Sequence, residues 1–288
     1  MKKQNILATA LLALAGAALL IPSARAETSI FTAKSCDLIL GFRATGGVGS
    51  GTNLVVDLGS ASLFYNPISP SFTLAGLSAL DLVATYGSNW NTRTDLYWGI
   101  VGTTGGAKSP DGLIPKKTLW ATRAEETPGI QSEAWMTGST FSQPSGVSVI
   151  EPMYSGLGPL WGATSTENSA WATVMSSNAA GSWTSQEFAT ETVSFGFFAG
   201  SIENTAKTAG CYSVSDLYQL EPYSFSGSST PGSLVGAFAL DNSGTLTFST
   251  DPALFASVPE PSSFALLGLA GGAFAMRLRR QRRCVLAQ

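Results

Sequence analysis

Asp37-Leu38-Ile39-Leu40-Gly41-Phe42-Arg43-Ala44 runs into Thr45-Gly46-Gly47-Val48-Gly49-Ser50-Gly51 and then into Thr52-Asn53-Leu54-Val55-Val56-Asp57-Leu58. In an extended chain successive side chains point to opposite faces, so Leu38, Leu40 and Phe42 share one face and Leu54, Val56 and Leu58 share another. This pattern predicts two half-buried strands joined by a glycine-rich hairpin loop. A phosphate cradle is the sharper reading of the glycines. Their spacing fits neither G-x-G-x-x-G nor a P-loop, and no Lys-Ser/Thr pair follows, so the loop is read as a connection.

Outward from this hairpin, further strands and two helices are expected. After Pro67 and Pro70, Ser78-x-x-Asp81 has the form of a helix cap, Leu77 and Leu82 are placed for a hydrophobic staple, and Gly87 can end the helix. Leu96, Trp98 and Ile100 restore alternation, and 117–123 reads as a partner strand after the Pro110-Asp111-Gly112 turn. Thr164-x-x-Glu167 is a second candidate cap, followed by Trp171, Val174 and Met175 on one helical face, and 193–202 is a further apolar strand candidate. Near the end, Asp241-Asn242-Ser243-Gly244 turns between strands over 233–240 and 245–249. The expected fold is mainly β: one antiparallel, β-sandwich-like domain over 27–250 with one or two short helices, followed by a linker over 251–257.

Composition narrows the function. Between Glu27 and Val258 lie 8 basic and 18 acidic residues, a net charge of −10, so a nucleic-acid partner is excluded for want of clustered Lys and Arg. The chain has no histidine, which removes the commonest general base and zinc ligand, and with it any Ser-His-Asp or Cys-His arrangement. No metal and no cofactor is expected. Cys36 and Cys211 would meet an oxidising compartment after export and are a possible disulfide; buried free thiols are the alternative.

Both ends read as targeting segments. Lys2 and Lys3 precede an apolar run over 6–21, and Ala24-Arg25-Ala26 supplies the small residues that signal peptidase accepts, which predicts a signal peptide over 1–26 cut after Ala26. At the other end, Val258-Pro259-Glu260-Pro261 precedes an apolar stretch over 264–276 and the cluster Arg277, Arg279, Arg280, Arg282 and Arg283; a short tail over 284–288 follows. The prolines hold an extended strand of the kind a protease cleft reads. Thirteen apolar residues span about 20 Å as a helix, a short transmembrane anchor, and the arginines are expected to stay cytoplasmic.

The order V-P-E-P, apolar helix, arginine cluster over 258–283 resembles the PEP-CTERM sorting signal of Gram-negative bacteria. The resemblance implies recognition at Pro259, Glu260 and Pro261 by an exosortase, a membrane-embedded cysteine protease. It also implies a precursor held transiently in the inner membrane and a product sent to the cell surface or an exopolysaccharide-rich matrix. Signal peptidase and the secretion machinery are the other expected partners.

For the body itself the expected role is structural or adhesive and not enzymatic. A sugar binder is the first alternative, with Trp90, Trp98, Trp120, Trp135, Trp161, Trp171 and Trp183 as candidate stacking platforms; in-phase apolar neighbours place Trp98 and Trp171 in the core instead. A glycosidase is the second alternative, since it needs only two carboxylates, and Asp57, Asp95, Glu125, Glu126, Glu133 and Glu151 are available.

Overall fold

Every strand of the body is antiparallel to its neighbours, in one sheet of ten strands among the described residues. The computed structural model describes residues 33–256 except 66, 68, 75, 76, 165–171, 191 and 209–211, and except the side chains of 156–164. The signal peptide, Cys211, the apolar stretch and the whole sorting segment therefore lie outside the described residues. Among the described residues no helix is long and apolar enough to cross a membrane.

The strands are β1 (Asp37–Ala44), β2 (Thr52–Ser60), β3 (Ser71–Leu74), β4 (Leu96–Thr103), β5 (Leu119–Ala124), β6 (Ala172–Ser176), β7 (Asn204–Thr205), β8 (Tyr212–Leu220), β9 (Ser233–Asp241) and β10 (Leu246–Ser249). Their order is β3-β10-β9-β8-β5-β4-β1-β2-β6, and β7 adds to the start of β4. The helices are α1 (Ser62–Tyr65), α2 (Ala79–Tyr86), α3 (Gln143–Thr164) and α4 (Trp183–Glu187).

The expected antiparallel, mainly β body is what forms, and its strands join in a single curled sheet with a core on each face. Leu38, Leu40 and Phe42 of β1 belong to one core, which reaches from Ala172 of β6 to Phe248 of β10. Strands from the two ends of the order share this one cluster because the sheet curls around it. Phe64 of α1 closes the curl: it follows β2, yet its ring lies 5.4 Å from Phe238 and 5.0 Å from Phe248. Ile39, Val55, Val101 and Ala121 point the other way, into a second core covered by α3 and α4. With both faces buried, β1 reads as a near-continuous apolar run.

Local signals hold where they rest on capping chemistry. The Ser78 hydroxyl accepts the Leu80 amide, and Gly87, at φ 88°, returns its N–H to Val83 to end α2. Arg93 ties down the β1–β2 loop by donating to the Gly46 and Val48 carbonyls at 2.6 and 2.7 Å. Three expectations change. Thr164 ends α3 instead of starting a helix, and Val174 and Met175 lie on β6, where one is exposed and the other buried as a strand requires. Within 193–202 the chain reverses tightly, with Phe195 at φ 46° and Gly196 at φ 69°, so its apolar residues are buried by a turn and not by a strand. Finally, Pro252–Phe255 forms a 3-10 turn docked on the sheet, so the folded body continues to Ala256.

Gly41 and Gly99 face each other across β1 and β4. The Trp183 indole lies over them: a Cβ at Gly41 would overlap its ring, and one at Gly99 would stand 3.2 Å from its Cζ2. Gly41→Ala is expected to cost about 2–3 kcal/mol through overpacking, read as a lower urea midpoint at unchanged slope. The double variant with Trp183→Leu should recover part of the loss. An unshifted midpoint in the single variant would show that the indole is not seated there.

Candidate functional site

One polar cluster is built on that indole. Trp183 opens α4, capped by the Ser182 hydroxyl accepting the Ser185 amide at 3.2 Å, and its Nε1 donates to Glu203 Oε1 at 2.7 Å. Glu203, whose side chain is fully buried, accepts Arg43 Nε at 2.8 and 3.0 Å and Nη2 at 2.5 Å. A fork of this kind orients a guanidinium as well as neutralising it. Arg43 is also held between rings, 4.6 Å from Phe188 and 5.3 Å from Tyr97.

Glu187 completes the cluster. It is buried, and its Oε2 accepts the Ser194 hydroxyl at 2.7 Å. Burial first, and the neighbouring Glu203 carboxylate second, push Glu187 up to about 7, against the opposing pull of Ser194 and Arg43. The strained turn at Phe195 sets Ser194 in place, with the Phe195 ring 4.9 Å from Trp183. Arg43, Glu187, Phe188, Thr190, Ser194 and Ser201 line an open cleft of about 250 Å³. A buried carboxyl that titrates near neutrality in a cleft, beside a fixed cation and an exposed aromatic ring, is the arrangement best suited among the described residues to meeting a polar ligand.

Sequence reasoning passed over Arg43, Glu187 and Glu203. The available signal was Arg43 itself, a full charge on the same strand face as Ile39 and Gly41, which demands a buried acid. That acid is 160 residues away. Of the six acids singled out in the sequence, Glu126 and Glu133 line one cleft of about 320 Å³, beside Arg123. Asp95 pairs with Arg93, Glu133 with Arg123, Glu126 is exposed, and Glu151 accepts the Gly106 amide at 3.2 Å. Five of the seven tryptophans, Trp90, Trp98, Trp120, Trp135 and Trp183, are core residues and not exposed platforms. Four of these give their indole N–H to an internal acceptor: Ser213, Tyr65, Thr122 and Glu203 respectively for Trp98, Trp120, Trp135 and Trp183. Trp171, like the side chain of Trp161, lies outside the described residues.

Two further acid pairs are buried away from the cleft. Asp57 lies against Asp37, and Glu125 against Asp216; Asp57 Oδ2, Glu125 Oε1 and Asp216 Oδ1 have no conventional donor. A proton shared within each pair satisfies them. Burial, then the partner's charge, push Asp57 and Glu125 each up to about 8. An acid raised in the folded state binds its proton more tightly than in the unfolded chain. Its contribution is therefore complete below about pH 4 and is lost as pH rises through about 8. The melting temperature is expected to fall between pH 5 and pH 9, and Asp57→Asn with Glu125→Gln should flatten that dependence; an equal slope in the variant would refute the shared protons.

Cys36 is a buried free thiol, raised by burial, and donates its amide to Thr103 at 2.8 Å. Thr103 pairs with Leu119, and Leu119 with Leu220, the last residue of β8. Tyr212, the neighbour of Cys211, starts β8 at the opposite end, about 26 Å along the strand, whereas disulfide Cα atoms lie within about 7 Å. Alkylation of denatured, unreduced protein is accordingly expected to label both Cys36 and Cys211; protection of both would instead demonstrate the pairing.

The comparisons with known proteins bear on the segment after Ala256. A PEP-CTERM protein-sorting motif matches residues 257–283, which include Pro259, Glu260, Pro261 and all five tail arginines. Neither the curated proteins nor the solved structures contain a match to the chain. The motif implies export, a membrane-anchored precursor and processing by an exosortase that sorts the product to the cell surface, and the chain is thus a PEP-CTERM domain-containing protein.

Proposed function

We propose that the mature body is a structural or adhesive component of an exopolysaccharide-rich surface matrix. The sorting motif over 257–283 is the observation that carries this reading. The body suits the role: few charges, a Gly-, Ser- and Thr-rich sequence, and an acidic balance that keeps copies apart. A second reading, carbohydrate binding, is supported by the cleft beside Phe188. There an exposed ring, a fixed guanidinium and a buried acid stand together, the mixture of apolar face and hydrogen-bonding groups that a sugar needs. This version replaces the tryptophan platforms.

Mass spectrometry of protein from envelope and medium is expected to find a product from Glu27 to near Val258. A Pro259, Glu260 and Pro261 to alanine variant should stay uncut and membrane-bound. An intact C-terminus through Gln288 in both would overturn the sorting reading. For the matrix role, the wild-type product should co-fractionate with surface polysaccharide, and Phe188→Ala with Arg43→Gln should reduce that fraction only if the cleft is the contact. A product found wholly in the polysaccharide-free medium would refute the matrix assignment.

A further inference from the structure

Two phenylalanines stand open to solvent on neighbouring loops. Phe141 is 74 % exposed and Phe225 81 %, and their rings lie 5.4 Å apart, edge to face at 73°. A single exposed apolar side chain is ordinary, whereas large rings exposed side by side form a patch that marks a contact. Phe141 lies just before α3, and Phe225 on the connection between β8 and β9. One side chain staples both segments: Gln143, fully buried, donates to the Lys117 and Leu220 carbonyls at 2.9 and 2.8 Å and accepts the Gly138 amide at 3.0 Å. The loops are also joined directly. The Tyr223 N–H donates to Gly138 and the Thr140 N–H to Tyr223, each at 3.0 Å, and Gly227 closes a tight turn around Phe225 by donating to Ser224 at 2.8 Å. The rings therefore stand on a fixed base, which spares a ligand the cost of ordering them.

The surroundings narrow what covers these rings. No charged residue occurs in 137–150 or in 222–240, and the Lys117 ammonium is engaged by the Thr140 carbonyl at 3.1 Å. Nucleic acids and anionic lipid surfaces call for clustered cations and do not match. A second copy matches no better. The two rings leave about 300 Å² open, taking about 200 Å² for each side chain, against about 800 Å² per partner in a stable dimer. Copies also repel, since 27–258 carries a net charge of −10. What fits is an uncharged ligand with a flat apolar face and hydrogen-bonding groups at its edge. Ser139, Ser142, Ser224 and Ser226 flank the two rings in sequence and supply hydroxyls for that edge. A pyranose with equatorial hydroxyls has this form, because its axial C–H bonds make each face apolar while the hydroxyls point outward.

We propose that Phe141 and Phe225 form a saccharide-stacking corner that takes an uncharged β-linked glucan-type chain. The proposal extends the carbohydrate-binding reading and rests on it for the natural ligand being a saccharide. It concerns a separate place, since none of the residues lining the cleft beside Phe188 belongs to either loop. Two contacts on one body allow it to bridge polysaccharide chains.

Electrophoresis through native gels containing hydroxyethylcellulose, and calorimetric titration with cellohexaose, test the corner on protein purified from the producing cell. The wild type is expected to be retarded by the polymer and to bind the hexaose, with little change between about 50 and 500 mM salt because the ligand is uncharged. Phe141→Ala and Phe225→Ala should each weaken binding about tenfold, the scale of one lost stacking platform. Val48→Ala, an exposed apolar change on the β1–β2 loop, should leave it unchanged. Urea midpoints of all three variants are expected to match the wild type, which separates lost binding from lost folding. No binding by the wild type would overturn the corner; so would binding in which both phenylalanine variants stay within twofold of the wild type, an outcome that leaves carbohydrate binding to the cleft beside Phe188. Neither result alters the co-fractionation test of the matrix role. Self-association in sedimentation, or flotation with phosphatidylcholine vesicles, that both substitutions abolish would assign the rings to a second copy or to a lipid surface and overturn the corner as well.

Discussion

The contact between the Trp183 indole and the paired glycines Gly41 and Gly99 sets the geometry on which the second core and the cleft depend. An indole can lie flat on a sheet only where two neighbouring strands lack side chains on the same face, and β1 and β4 supply that gap in register. Once seated, the ring fixes the start of α4 and aims its N–H at Glu203. Glu203 then holds Arg43 in a fork, Arg43 supports Phe188, and the cleft takes its shape. The cleft's polar groups are thus preorganised by an apolar contact beneath them, which is how a buried ion pair can persist despite its desolvation cost.

The same two-faced burial explains the acid pairs. A sheet covered on both sides has few places for a charge, and a carboxylate left alone there is expensive. Asp57 and Glu125 solve this by sitting beside another acid and sharing one proton, with backbone amides of Gly59 and Gly129 meeting the remaining oxygens at 2.6 and 2.5 Å. Asp216 is likewise met by the Ser132 amide and hydroxyl, at 2.5 and 2.8 Å. These groups serve the fold, whereas Glu187 lines the open cleft beside Arg43 and Phe188.

Local chemistry was legible in the sequence and long-range pairing was not. The β1–β2 hairpin, α2 with its Ser78 cap and the β9–β10 turn at Asp241 each depend on residues close in sequence, and they form where alternation and capping place them. Helix α3 was hidden by Pro144, Gly146 and Pro152, residues of poor helical propensity, although Val147, Ile150 and Tyr154 keep helical spacing and are buried by tertiary contact. The apolar run around Phe195 and Phe198 resembled a strand because burial alone does not fix a period; Gly196 was the local clue to a reversal. Glu203 could not have been matched to Arg43 by spacing, because the sheet order, not the chain, makes them neighbours. The sorting signal was legible for the opposite reason: its residue types follow one another within a single short stretch, which the motif match over 257–283 bears out.

Charge gives the two ends of the chain a common logic with the body between them. The sequence as a whole carries a formal charge of −3, but only because half of its 16 basic residues stand in 1–26 and 277–283. The stretch 27–258 taken by itself carries a net charge of −10. Basic residues at the ends favour contact with an anionic membrane surface while the chain is being exported and anchored. The acidic body is repelled by that same surface, over a range limited to about 8 Å at physiological ionic strength. Cleavage near Val258 would remove the five tail arginines and leave a stretch whose own negative charge opposes contact with an anionic membrane surface. Loss of residues 259–288, with five arginines against Glu260, shifts the net charge by −4, so the balance becomes more negative without changing sign.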